Sequence, residues 1–379
     1  MEAKPRGMNP LQAKLTAMLL AGVLLGLTIA NLVHTPPEVS KSERRRLAAL
    51  PRFASVSSGK LRLNDSFAED FEAFAQDSFV GRDAMRALKA YAQYNALRLL
   101  DNNGLYAVDG SLARLSAFDA ASAARAIAKI NKVIARLPDG AKVYMAAIPD
   151  KGHYLARGTA YPDGGFGALE AVIRENLAGA SYISLGDALG RDSYYAGDLH
   201  WKQTALSPVL AALGFAMGFA ADEDFEGKEL YPFYGAYFGQ YALPLPGETL
   251  ACLTNDALAN ARVKLLDTKT LGMIDSVMYD ESLFFSVDPY SVYLSGPQPI
   301  VTIENPAAST DRQLYLFRDS FASSLAPLLA GEYAKITLID LRYISADALF
   351  KLIEFDANAD ALFLYGSLIL DDSALLLVG

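Results

Sequence analysis

The sequence predicts an α/β fold built on a parallel sheet, and three observations carry that expectation. Lys142–Ile148 (KVYMAAI) is almost continuously apolar and is stopped by Pro149, as a central strand buried on both faces would be. Helical and strand-like segments then alternate, first over residues 142–185 and again over residues 314–366. That is a βαβ rhythm, which implies parallel strands joined by right-handed crossovers. Between the two stretches, from about 222 to 306, Tyr, Phe, Gly and Pro crowd together and helical spacing weakens. This reads as a β-rich insertion, with 293–305 (YLSGPQPIVTIEN) hairpin-like.

The elements follow in chain order. Leu15–Val33 is a run of 19 residues without charge, close to the length that spans a bilayer. Lys4, Arg6 and Lys14 precede it, so the positive-inside tendency leaves residues 1–14 cytoplasmic and everything after the 15–34 anchor outside. The run is long for a signal-peptide core and no clean Ala-x-Ala site follows, which favours an uncleaved anchor over a cleaved signal. Residues 35–60, with Pro36-Pro37, Pro51 and a Ser-Ser-Gly ending, read as an irregular stem. The ectodomain proper is then 61–379.

It opens with helical apolar spacing from Phe67 to Leu100, Asp65 or Ser66 serving as N-cap. Asn102-Asn103-Gly104 makes a turn, and a helix runs from about Asp119 to Leu137. After the first strand come a helix over 166–177, a strand over 181–185 and a helix reaching Phe219 that Pro208 starts or kinks. The second α/β stretch supplies strands 314–318, 335–340 and 361–366 with helices 321–330 and 346–355 between them.

Composition excludes several classes. The single cysteine, Cys252, rules out an internal disulfide and any thiolate cluster, and with three histidines in the chain no metal site is expected. No cofactor is called for. A net charge of −9 lacks the basic footprint of a general nucleic-acid binder. No Gly-x-Ser-x-Gly is present, which weighs against a plain lipase.

The chemistry narrows by counting. A serine nucleophile at neutral pH needs a base, usually histidine, and the chain offers only His34, His153 and His200. His34 sits at the membrane end. His200 has Asp198 two residues before it, and on extended chain residues i and i+2 point to one side, which suits a carboxylate orienting an imidazole. Ser320 follows a buried strand and opens a helix, placing it at the carboxyl end of the sheet where open α/β folds carry their sites. Its N–H at a helix N-terminus suits a developing oxyanion. The tripeptide alone is cheap, since Arg191-Asp192-Ser193 repeats it in a loop. His153, in Pro149-Asp-Lys-Gly-His153, lies after a strand end and is a candidate for the same cleft, while Lys151 reads first as a solvated surface lysine. Trp201 would pack or face a sugar.

Tyr194-x-x-x-Asp198-x-His200-Trp201 and Arg318-Asp319-Ser320-Phe321, continuing through Pro327 to Asp340-Leu-Arg-Tyr343, resemble the two signature blocks of the DHHW family and the alginate-type O-acetylases of the SGNH hydrolase-like superfamily. Glu43-x-Arg45-x-Leu47-Ala48 and Asp77-x-Phe79-x-Gly81-Arg82 resemble that family too. Two positions depart from the pattern: Leu199 stands where a literal Asp-His-His-Trp has its first histidine, and Arg318 where many SGNH enzymes have glycine. The resemblance implies an SGNH-like three-layer α/β/α fold, with Ser320 as acyl-accepting nucleophile, His200 as its base and Asp198 as the orienting carboxylate. Tyr194, Trp201, Arg318 and Asp319 would support the site or the substrate. Gly296, Gln298 and Asn305 are candidates for the superfamily's accessory oxyanion donors.

It further implies an extracytoplasmic enzyme, anchored in the cell membrane, that transfers or hydrolyses O-acetyl groups on a cell-envelope glycan or exopolysaccharide. Its partners would be the polysaccharide acceptor and a multi-spanning membrane O-acyltransferase. The alternative is a non-catalytic glycan-binding or assembly protein that kept the fold.

Overall fold

The computed structural model describes residues 10–40, 42–57, 60–220, 224–308 and 310–379. The chain divides into two compact units, one ending at Ala96 and the other beginning at Leu97.

In the first unit, helix α1 (Pro10–Val33) is apolar throughout and buries none of its residues within the protein. Among the described residues it is the one helix long and apolar enough to cross a membrane, a property that an anchor and a signal sequence share. The segment read as an irregular stem is ordered by pairing: Ala54–Ser57 and Lys60–Leu63 form an antiparallel hairpin. Helices α2 (Phe67–Ser78) and α3 (Arg82–Tyr91) follow. Ser66 occupies the N-cap position of α2 but makes no side-chain cap bond. The two early motifs meet here. Arg45 grips Asp77 with hydrogen bonds of 2.7 and 2.5 Å, the Ala48 N–H adds a third at 2.8 Å, and Arg82 pairs with Glu43. Asp77 therefore titrates below the usual carboxylate range, chiefly through its hydrogen bonds to Arg45.

The second unit is built on an eight-stranded sheet. Its strands in chain order are β1 (Lys142–Ile148), β2 (Ser181–Ser184), β3 (Arg262–Leu266), β4 (Met273–Ser276), β5 (Ile300–Glu304), β6 (Gln313–Arg318), β7 (Lys335–Ile339) and β8 (Asp360–Gly366). Across the sheet the order is β4-β3-β5-β7-β6-β8-β1-β2. The five strands from β7 to β2 run parallel, while β5, β3 and β4 extend the sheet antiparallel from the β7 edge.

Side chains alternate between the two faces, as the two-residue strand period requires. On one face Ala146, Leu314, Leu316, Leu338 and Leu364 pack with α6 (Ser207–Met217) and the segment 322–329. On the other, Met145, Ala147, Phe317, Phe363 and Tyr365 pack with α4 (Ala120–Ile134), α5 (Phe166–Asn176) and α7 (Ala346–Leu352). Helix α4 fits its face because Ala123, Ala126, Ile127, Ile130, Val133 and Ile134 form one apolar stripe, and Asp119 caps it by accepting from Ala121 and Ser122. The result is an α/β/α sandwich.

Three local expectations change. The 222–306 stretch supplies a separate hairpin (Glu226–Phe233 with Glu248–Thr254) and, in addition, strands of the main sheet itself. Residues 293–305 form no hairpin, because β5 finds its partners in β3 and β7. The helix after Ser320 is a single α-turn, Ala322–Leu325, that tightens to 3₁₀ over Ala326–Leu329. Pro327 has no N–H to continue the α-helical ladder there.

Candidate active site

Ser320 sits two residues past β6, between the carboxyl ends of β7 and β8. The turn that carries it is stapled to the sheet by Asp319, whose Oδ1 accepts from the Phe321 N–H (3.0 Å) and Oδ2 from the Gly366 N–H at the end of β8 (2.6 Å). Arg318 is buried below. Its Nη1 donates to the Asp319 carbonyl (3.3 Å) and the Ser323 hydroxyl (3.0 Å), with Asp340 at 3.9 Å. Burial pushes the Arg318 pKa down and that of Asp319 up. Arg318 and Asp319 thus build the turn, and Asp319 also lines the cavity beside Ser320.

The structure brings His200 and Asp198 to this turn from 120 residues away. His200 Nε2 lies 2.8 Å from Ser320 Oγ, and its Nδ1 lies 2.6 Å from Asp198 Oδ1. Asp198 is fully buried, and its other oxygen accepts from the Ala236 N–H at 2.6 Å. Gly235 permits this approach: a Cβ there would come within 2.2 Å of the Asp198 Cβ. The imidazole is clamped face to face by Tyr290, with ring centroids 3.8 Å apart and planes within 6°. Tyr290 in turn donates to Ser324 Oγ (2.8 Å). No periodicity or motif points to Tyr290, because its contact to His200 exists only in the folded chain.

The loop bearing His200 is held from beneath. Tyr194 and Trp201 bridge each other, the Tyr194 hydroxyl donates to the Pro149 carbonyl (2.6 Å), and Trp201 Nε1 donates to Phe321 O (3.0 Å) and Ser324 Oγ (2.9 Å). Both rings are buried, and Trp201 packs within the core. Glu248 accepts from the Ala196 and Gly197 N–H groups at 2.7 and 2.8 Å.

Lys151 corrects its reading as a surface residue. It is 1% exposed, donates to the Tyr195 and Ala196 carbonyls (2.8 and 2.9 Å) and lies over the Tyr237 ring. Desolvation lowers its pKa to about 8, against the pull of Asp198, Asp150 and Glu248. His153 also departs from expectation. It lines a neighbouring small cavity with Asp163 and Phe166, and its Nε2 is 3.1 Å from an Arg157 nitrogen.

Each of the three accessory-donor candidates makes a bond within the fold. The Gly296 N–H bonds to the Tyr293 carbonyl and Gln298 Nε2 to the Ser295 carbonyl. Asn305 follows the end of β5 that pairs with the start of β7, opposite the Ser320 edge, and donates to Ala330 O.

Beside Ser320 lies a cavity of about 70 Å³. Ile148, Leu199, Phe321 and Ile369 give it apolar walls; Asp150, Asp319, Arg342 and Ser367 give it polar ones. Arg342 is fixed by Asp340, through Nε (2.9 Å) and Nη2 (2.7 Å).

Sheet order, site edge and sandwich together define a three-layer α/β/α fold with its candidate site at the carboxyl edge of the parallel strands. A DHHW family protein from Eubacterium siraeum superposes with a TM-score of 0.57 at 17% identity, over 74% of this chain and 97% of that one. PatB1 from Bacillus cereus does so with 0.55 at 17% identity, over 70% and 96%. The O-acetyltransferase domain of Pseudomonas putida AlgJ is more distant, with a TM-score of 0.38 at 13% identity, over 71% and 92%. For the first two the likeness is one of fold. No protein-family model and no curated protein matches the chain.

Proposed function

We propose that the protein is a membrane-anchored, extracytoplasmic enzyme that transfers or hydrolyses O-acetyl groups on a cell-envelope glycan through Ser320, His200 and Asp198. The observation that carries this reading is the unbroken relay from Ser320 Oγ through His200 to Asp198, at 2.8 and 2.6 Å. In the reaction, Ser320 Oγ attacks the acetyl carbonyl while His200 Nε2 takes the hydroxyl proton. Asp198 holds the Nδ1–H tautomer and stabilises the imidazolium that forms. Tyr290 keeps the ring in plane with its partners. Backbone N–H groups of the turn after β6 would hold the oxyanion. The proton then passes to the leaving oxygen, and an acetyl ester remains on Ser320.

The N-terminal helix would hold the unit that carries the site at the outer membrane face, beside a multi-spanning acyltransferase that supplies acetyl groups. Full-length protein in detergent, given p-nitrophenyl acetate, should release p-nitrophenol and gain one acetyl group by intact mass. Ser320→Ala and His200→Ala should each abolish both. Release that persists in Ser320→Ala would sink the assignment.

A second reading, a non-catalytic glycan-binding protein, draws on one observation: the Gly296 N–H is spent on the Tyr293 carbonyl, and Gln298 and Asn305 each give an amide hydrogen to a backbone carbonyl. A wild-type chain that binds glycan but takes no acetyl group would establish it.

A further inference from the structure

The cavity beside Ser320 contains a group that the relay does not use. Asp150, at the carboxyl end of β1, is 7% exposed and lines this cavity together with Ser320 and Arg342. Its backbone N–H is bonded to Ser367 Oγ (3.0 Å), and its Oδ1 accepts from the Gly152 N–H (2.8 Å). Its Oδ2 is buried and has no hydrogen-bond partner. An orphaned carboxyl oxygen is costly in a folded interior and calls for a partner that arrives later. Across the cavity Arg342 spends Nε and Nη2 on Asp340, and its remaining nitrogen makes no hydrogen bond among the described residues. Asp319 also lines the cavity, but both its oxygens are bonded to backbone N–H groups, so Asp150 offers the unpaired carboxyl oxygen there. Apolar walls around that oxygen and a guanidinium match a carbon-bound hydroxyl, which has C–H surface and a polar tip.

We infer that Asp150, with Arg342, holds the acceptor hydroxyl of a sugar at Ser320, which makes the protein a transferase in preference to a hydrolase. The inference rests on the Ser320–His200 reading above. A hydroxyl is the fitting partner because it can donate to a carboxylate and accept from a carboxylic acid, so the contact survives either state of Asp150. A carbonyl or a second carboxylate would pair with only one of them. The step balances as follows. The acceptor O–H gives its proton to His200 Nε2 as its oxygen attacks the acetyl carbon. The Ser320–acetyl bond then breaks, and the proton returns to Ser320 Oγ. The products are an acetylated sugar and free enzyme.

The test uses the full-length chain in detergent, with p-nitrophenyl acetate as donor and methyl glucoside, cellopentaose and chitopentaose as acceptor probes. Acetyl-enzyme is read by intact mass and acetylated sugar by mass spectrometry. Wild type should pass acetyl groups to at least one probe in preference to water. Asp150→Ala should lower that transfer about tenfold or more through acceptor KM, while acetyl-enzyme formation falls no more than about threefold. Asp150→Asn, which keeps the Gly152 bond and one group for the hydroxyl, should retain more transfer than Asp150→Ala. Three outcomes overturn the inference: a transfer-to-hydrolysis ratio unchanged in both variants, acylation lost as fully as transfer in Asp150→Asn, or a wild type that gives its acetyl group only to water. Failure of the underlying reading looks different, since then wild type forms no acetyl-enzyme at all.

Discussion

The tripeptide Arg-Asp-Ser occurs twice in this chain, at 191–193 and at 318–320, and its two copies lead different lives. The first forms a 3₁₀ turn near the surface, where Arg191 reaches Asp109 at 2.8 Å and Ser193 Oγ accepts from the Gly190 N–H. The second ends a central parallel strand, with Arg318 and Asp319 each 1% exposed and Ser320 facing an imidazole. Identical residue types therefore make a surface turn in one place and a candidate nucleophile in the other. The difference lies in what the sheet delivers: β6 ends where β8 and the Asp198–His200 loop can both reach it.

Substitutions at matched positions sharpen or break this contrast. The largest separation is expected at the serines. Ser320→Ala should lower acetyl release by about a thousandfold or more, and Ser193→Ala by less than about twofold. Equal losses in an esterase assay would end the distinction. Next come the groups that place the base. Gly235→Ala must displace Asp198, because no Cβ fits there, and should cost roughly a hundredfold in turnover with the fold intact. Tyr290→Leu, which removes the face that clamps His200, should cost about tenfold.

The arginines separate by stability. Arg318→Ala should destabilise the protein by about 3–5 kcal/mol, since it empties a buried site and strips hydrogen bonds from the Ser320 turn. Arg191→Ala, at an exposed pair, should cost less than about 1 kcal/mol. Denaturant unfolding of the two variants side by side decides this.

A further contrast is a pH dependence beneath the His200 loop. Folding lowers the Lys151 pKa from its ordinary 10.5 to about 8. Between those values the unfolded chain binds the extra proton and the folded chain does not, so stability should rise with pH in that window. Below it both states are protonated and the folded state carries the full penalty. Lys151→Met should remove the rise, as unfolding midpoints measured across the window would reveal.

Much of this was legible in the sequence because its signals are local. Lys142–Ile148 reads as a buried strand from its apolar run alone, and the distribution of three histidines leaves His200 as the natural base. What escaped was non-local. Lys151 looks like any exposed lysine until two carbonyls of a loop 44 residues away are folded over it. The β-rich stretch hid β3, β4 and β5 as strands of the main sheet, because the pairing that joins them to it, β5 with β7, comes from the second α/β stretch. Asp77 and Arg45 appeared only as fragments of motifs, and their bond across 32 residues emerges with the fold.

Trp201 is the only tryptophan in the protein, and it adjoins His200 with its indole N–H tied to the segment that carries Ser320. Its fluorescence therefore comes from one address. Any shift of the Ser320 turn when an acyl group arrives, or when a glycan settles beside it, should alter the colour or intensity of that emission. The molecule carries its own optical gauge of site occupancy, readable in a stopped-flow instrument without a dye or a label.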